Sequence, residues 1–221
     1  MFRTQSMRTW IIITAVLALG VSTYLGIQYF IMGASSAGLI INKISQHIHL
    51  SNIYYILLYL HIATGIIALA TGWFQFIASF RKKHIGWHRI IGKVYSGCVL
   101  FSGLFGIFVA FKATGGWIST LAFLLLSLSW IYTLIMALQS IVVKRDPQRH
   151  ERWMLRNYAL TLAAVTLRIY LPICMLLFGF KDFNTYYRAI AWLCWIPNLI
   201  FAEWIIARFL SNKSFVASIP H

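Results

Sequence analysis

Six apolar runs, each close to the length a helix needs to cross a bilayer, constrain this chain more than any other feature. They lie at 9–32, 53–79, 90–111, 117–143, 153–178 and 187–210. About 20 predominantly apolar residues suffice for one span. No stretch between the runs is long enough for a soluble head. Charged residues are 10% of the chain, well short of the roughly 25% of a soluble domain. The expected fold is all-α, a polytopic transmembrane bundle forming one integral membrane domain over 1–221. Spans two to five are expected as a four-helix core, with spans one and six packed outside it. Gly115-Gly116, Pro147 and Lys181-Asp182 punctuate the later connectors. The first run follows Arg3 and Arg8 and is too long for a signal-peptide core, so it is kept as a span.

A net charge of +15 raises nucleic acid as a partner. The basic residues sit in short segments at helix ends instead, which is a topological pattern with attraction to anionic lipid as a second effect. Nucleic acid is therefore excluded. Fourteen basic residues fall on the side of the N-terminus, the second and fourth connectors and the tail, against four at Lys43, Lys112, Lys181 and Arg188. The positive-inside rule then predicts both termini in the cytoplasm, with anionic lipid at that face. Trp73, Trp87 and Trp153 are expected at the inner interface, and Trp117, Tyr54, Tyr55, Tyr186 and Tyr187 at the outer one. Cys98, Cys174 and Cys194 lie in apolar runs without metal or redox spacing and read as packed thiols.

Arg168 stands inside the run Ala163-Ala164-Val165-Thr166-Leu167-Arg168-Ile169-Tyr170-Leu171-Pro172. A charge at that depth costs roughly 2.5–3.5 kcal/mol on insertion scales, so its default reading is functional. Only Asp146, Glu151, Asp182 and Glu203 are available as carboxylate partners, and none is at its depth. Its guanidinium is expected to face the bundle interior, solvated by carbonyls, hydroxyls, water or a bound anion. The bland alternative is that it ties down backbone freed by Pro172.

The second and fourth connectors resemble each other. His88-Arg89-Ile90-Ile91-Gly92-Lys93-Val94-Tyr95 and His150-Glu151-Arg152-Trp153-Met154-Leu155-Arg156-Asn157-Tyr158 share R-x-x-x-[KR]-x-Y just after a histidine. Spans 2–3 and 4–5 are thus candidates for parallel repeats about an axis along the membrane normal.

An ordered set of residues runs through these segments. It begins at His61, Gly72, Gln75, His88-Arg89, Gly92 and Tyr95. It continues with Asp146, His150, Trp153-Met154 and Arg156, and ends at Val165-Thr166-Leu167-Arg168 before Pro172. The set resembles the bacterial membrane family catalogued as domain of unknown function 2306, over about residues 55–175. The resemblance implies a multi-span protein of the bacterial inner membrane. It assigns no chemistry to the residues that carry it.

Two clusters are expected at different depths. The outer one pairs His61, about 12 Å below the outer surface, with Arg168, about 15 Å down, at 1.5 Å per residue. The inner one gathers His84, His88 and His150 with Gln75, Arg156 and Glu203. His84 and His88, at i and i+4, would share one helix face and bind a transition metal with His150 as third ligand. Alternatively, imidazoles on facing helices would hold a haem iron. Glu203 is expected to pair with Arg156 or Arg89. No nucleophile–base pair and no phosphate loop stands out, so no catalytic residue is assigned.

Two functional classes follow. The first is a redox protein carrying b-type haem or handling quinone between spans 2–5, with His61, His88, His150, Arg168, Gln75 and Arg156 around the cofactor and a redox partner. The second is a carrier or sensor of a small anionic or amphipathic molecule centred on Arg168. A ligand-free assembly subunit is the remaining alternative.

Overall fold

The computed structural model describes residues 2–179 and 183–210, and every one of its regular elements is helical. Lys181, Asp182, Lys213 and His221 lie outside the described residues. Six helices are long and apolar enough to cross a membrane: Thr9–Ile31, Asn52–Phe76, Ile85–Ala110, Trp117–Val142, Pro147–Phe178 and Phe183–Leu210. They are numbered one to six below. The end of the bundle carrying the 77–84 and 143–146 connectors is called the basic end.

Spans three and five begin several residues earlier than the apolar pattern indicates. Asp146 explains the second case. Its carboxylate accepts from the Arg149 amide at 2.9 Å, and Pro147 occupies the first helical turn, where its missing N–H costs nothing. Long basic side chains are good helix formers, so their charge does not end the helix. Span two ends differently. After Gly72 the chain tightens into a 3₁₀ turn, Trp73–Phe76, and then a short helix, Ala78–Lys83. The first connector also folds, into the helix Gly38–Ser45.

The largest buried cluster joins Ala68 of span two, Tyr95 and Val99 of span three, Trp130 and Leu134 of span four, and Tyr158 and Leu167 of span five. Span six adds Tyr187, Ile190 and Cys194 to it. Close approach here depends on Gly72. A β-carbon at that position would lie 2.7 Å from Tyr95 Cε2 and would collide with the Tyr158 ring. The two matching tyrosines of the connector repeat thus meet over one glycine, their ring centroids 6.4 Å apart.

Spans five and six are interrupted near mid-length. Span five is built of Pro147–Thr161 and Ala163–Phe178, and span six of Phe183–Leu193 and Ile196–Ile205. Interrupted helices free carbonyls that must be satisfied inside a bilayer. Asn198 does this for both spans. Its Nδ2 donates to Cys194 O at 3.0 Å and Ala159 O at 3.3 Å, and its amide also pairs with Thr166 Oγ1. Pro172, by contrast, lies within Ala163–Phe178 without ending it.

Candidate functional site

A cavity of about 200 Å³ lies in the half of the bundle away from the basic end. It runs from Lys43 and Tyr54 inward to Leu69 and Thr161. Leu69 is fifteen residues beyond Tyr54 on the same span, or about 22 Å along a helix axis. Arg168 and His61 both line this cavity. His61 is positioned by span three: its Nδ1 lies 2.8 Å from Ser102 O, and Ser102 Oγ donates to His61 O at 2.9 Å. When Nδ1 carries the proton and donates to that carbonyl, Nε2 is left as an acceptor. Gly106 gives the imidazole room, since a β-carbon there would stand 3.2 Å from its ring.

Arg168 makes one long hydrogen bond, from Nη1 to Ala164 O at 3.4 Å, among the described residues. A guanidinium has five donors, so most of its capacity is left for the cavity. Its charge acts on Tyr29, His61, Tyr187 and Cys194, all of which line the same space. Tyr29 and Tyr187 are 6% and 4% exposed, and neither hydroxyl hydrogen-bonds to a described residue. Lys43 is the second cation of the lining. It is 6% exposed, its Nζ donates to Tyr54 Oη at 2.7 Å, and burial pushes its ammonium down to about 8. Among the described residues no Asp or Glu lines the cavity.

Sequence reasoning missed Lys43, Tyr54 and Tyr187 as site residues. Lys43 entered only as a loop charge, and the tyrosines as an interfacial belt. The helix Gly38–Ser45 folds over the end of span two and buries both Lys43 and Tyr54, while Tyr186 and Tyr187 are also buried. Trp87 and Trp117, at 60% and 75% exposed, do face outward.

A buried polar network closes the deep end of the cavity. Tyr95 Oη donates to Asn157 Oδ1 at 2.6 Å and lies 2.9 Å from Thr161 Oγ1. Trp130 Nε1 donates to Thr161 Oγ1 at 2.9 Å, and Asn157 Nδ2 donates to Trp130 O and Thr133 Oγ1. Thr161 and Trp130 line the cavity, so its floor is fixed by hydrogen bonds among spans three, four and five.

The inner residues are not brought together as the spacing suggests. The helix Ala78–Lys83 stops before His84, which begins a new helix with φ −131° and ψ 57°. His84 and His88 therefore do not share a helix interior, and His84 is exposed beside Phe80. Among the described residues no three His, Cys, Asp or Glu side chains converge as a metal site, so the grouping of His84, His88 and His150 is not formed. His150 Nδ1 is 2.9 Å from Ala137 O. His88 is within electrostatic range of His150, Arg81 and Arg89, and its buried Nδ1 has no partner among the described residues. Gln75 is 6% exposed, faces span three at Gly92, and has no described partner for either amide atom.

Arg156 is taken up elsewhere. It forms a bidentate pair with Glu203, with Nη2–Oε2 at 2.9 Å, and lies over the Trp153 ring at 4.5 Å. It is thereby committed to joining spans five and six.

A haem between imidazoles fits this arrangement poorly. His61 alone among the described histidines lines the 200 Å³ cavity, and His88 and His150 line neither that space nor a second cavity nearer the basic end. The volume is also below the roughly 300–1,000 Å³ of pockets that hold drug-sized ligands, so it suits a molecule much smaller than haem.

No curated protein and no solved structure matches the chain. A family model described as "Predicted membrane protein (DUF2306)" matches residues 58–206, from span two into span six. With six membrane-spanning helices and a match over most of its length, the chain belongs to the DUF2306 family of membrane proteins.

Proposed function

We propose that this membrane protein binds a small anionic molecule with an apolar body in the cavity between Lys43, Arg168 and His61. One observation carries the reading: a largely apolar, partly enclosed space whose lining, among the described residues, holds two cationic side chains and two unengaged phenols but no carboxylate. Half-buried Arg168 and buried Lys43 have no counter-ion among the described residues, and a charge at such a site is costly, so an anion would restore balance. The Tyr29 and Tyr187 hydroxyls supply donors to the same oxyanion, and the aliphatic and aromatic walls accommodate its apolar part. This favours ligand binding over the haem or quinone chemistry that the histidine pattern suggests. The charge asymmetry of the connectors supports the basic end facing the cytoplasm, with anionic lipid against it. The cavity then faces outward.

Equilibrium dialysis of the purified protein against naphthalene-2-sulfonate, a permanent monoanion with an apolar body, tests this. Native protein is expected to bind it. Arg168→Gln is expected to weaken binding by about tenfold or more, matching the loss of a charge-assisted contact. Equal binding by the two proteins would remove the proposal.

A further inference from the structure

A second cavity, of about 230 Å³, lies toward the basic end among spans one, two, five and six. Trp73 lines it from span two, Tyr158 and Leu162 from span five, and Asn198 from span six. Further from the basic end the same three spans line the Arg168 cavity, with Leu69 and Cys194 one helical turn beyond Trp73 and Asn198, and Ala164 two residues beyond Leu162, where span five turns a different face to each cavity. The two cavities are therefore stacked along shared helices.

What separates them is thin. Ala18, Leu69 and Val165 form a small buried cluster at 0%, 1% and 4% exposure, with Trp73, Leu162 and Ala164 packed against it. Leu69 and Ala164 also line the first cavity, while Trp73 and Leu162 line the second. The partition is thus about one layer of side chains. It coincides with the interruptions of spans five and six. Discontinuous helices near mid-membrane are where carriers place their sites, because half-helices can shift against each other.

The lining of the second cavity narrows the cargo. It is mostly apolar, with one buried donor, Trp73 Nε1, that has no partner among the described residues. Its carboxylate, Glu151, lies 3.6 Å from Arg81. A hydrated or multiply charged ion gains nothing there. An apolar body with one acceptor group does.

We infer that the two cavities are successive stations on one route, and that the chain carries a small amphipathic monoanion across the bilayer, with the Ala18–Leu69–Val165 layer as the barrier. This rests on the anion-binding reading of the first cavity. Arg168 captures the charged group, and the apolar body reaches the second cavity when the layer parts.

The test uses the full chain in sealed proteoliposomes loaded with naphthalene-2-sulfonate. Efflux is expected to exceed that of protein-free vesicles. Leu155 lines the second cavity and neither the first nor the layer between them, so Leu155→Trp is expected to slow efflux by about fivefold or more with probe affinity nearly unchanged. Independently, a variant with Cys98, Cys174 and Cys194 replaced by Ala receives one cysteine at Val165. An anionic methanethiosulfonate reagent is expected to reach it from both sides of the vesicle. If Val165→Cys fails to fold, Ala164→Cys is used in its place. Probe binding without excess efflux, or reaction of the cysteine from one side only, would overturn the route and leave the binding site standing. Absence of probe binding would overturn the binding site, and the route with it.

Discussion

Lys43 Nζ donates to the Tyr54 hydroxyl at 2.7 Å, and the same ammonium lies 5.0 Å from the centre of that ring. A connector lysine is thereby held against span two with both side chains only 6% exposed. Desolvation lowers its value from 10.5 to about 8. Below the folded value both states carry the proton, and the folded state bears the cost of a buried charge. Between about pH 8 and 10.5 the unfolded chain holds the proton that the folded one has released, so stability rises with pH. Native stability is expected to increase across that window by an amount on the order of 3 kcal/mol, read as a rise in thermal midpoint, and Lys43→Met is expected to lose the increase. Parallel pH profiles for the two proteins would show that Lys43 is not desolvated.

The same lysine gives a ligand prediction. Loss of its proton removes one of the two cations in the cavity lining. Affinity for a permanently charged sulfonate is expected to fall as pH rises through about 8, and Lys43→Gln is expected to flatten that dependence. Titration at several pH values measures it directly. A native profile without a fall would place the anion away from Lys43.

Asn157 is fully buried and joins three spans through Tyr95, Trp130 and Thr133. Replacing it with Leu removes three hydrogen bonds, while Tyr95 Oη keeps Thr161 Oγ1 and Trp130 O keeps Thr133 Oγ1. Each lost bond is worth about 0.5–1.5 kcal/mol net, so Asn157→Leu is expected to lower the thermal midpoint clearly. Tyr95→Phe removes a donor, leaves its ring packed over Gly72, and is expected to cost less. Equal midpoints for native and Asn157→Leu protein would mean that the network is incidental.

The sequence makes the spans readable because hydropathy alone decides which segments enter a bilayer. It also brings out Arg168 and His61, since an ionisable residue in an apolar run is conspicuous, and both line one cavity. Lys43 is hidden because its burial is made by a connector helix folding back, which no local pattern encodes. Tyr54 and Tyr187 are hidden for a related reason: a tyrosine near a span end looks the same whether it faces lipid or a cavity. The interruption at Leu162 carries no Pro or Gly and is stabilised from a distance by Asn198, whereas the one near Cys194 is marked by Pro197 in the first turn of Ile196–Ile205. The i, i+4 histidines mislead because the spacing fixes only their turn: His84 caps the helix and is exposed, and no third ligand converges on the pair among the described residues.

Arg156 and Glu203 connect spans five and six near the basic end, with side-chain exposures of 20% and 49%. Solvent screens a pair this open, so Glu203→Gln is expected to cost no more than about 1 kcal/mol, with probe binding unchanged. A large loss of binding would tie this pair to the site, against the separation described above.

The most direct measurement sets stability against binding in Arg168→Leu. Arg168 has one long hydrogen bond to the protein, so leucine removes an expensive charge and little else. Calorimetric titration with naphthalene-2-sulfonate and a thermal melt are run on the same sample. The expected result is affinity reduced by about tenfold or more with an unchanged or higher midpoint. A variant that melts early while still binding the probe at native affinity would contradict the account and make Arg168 a structural residue.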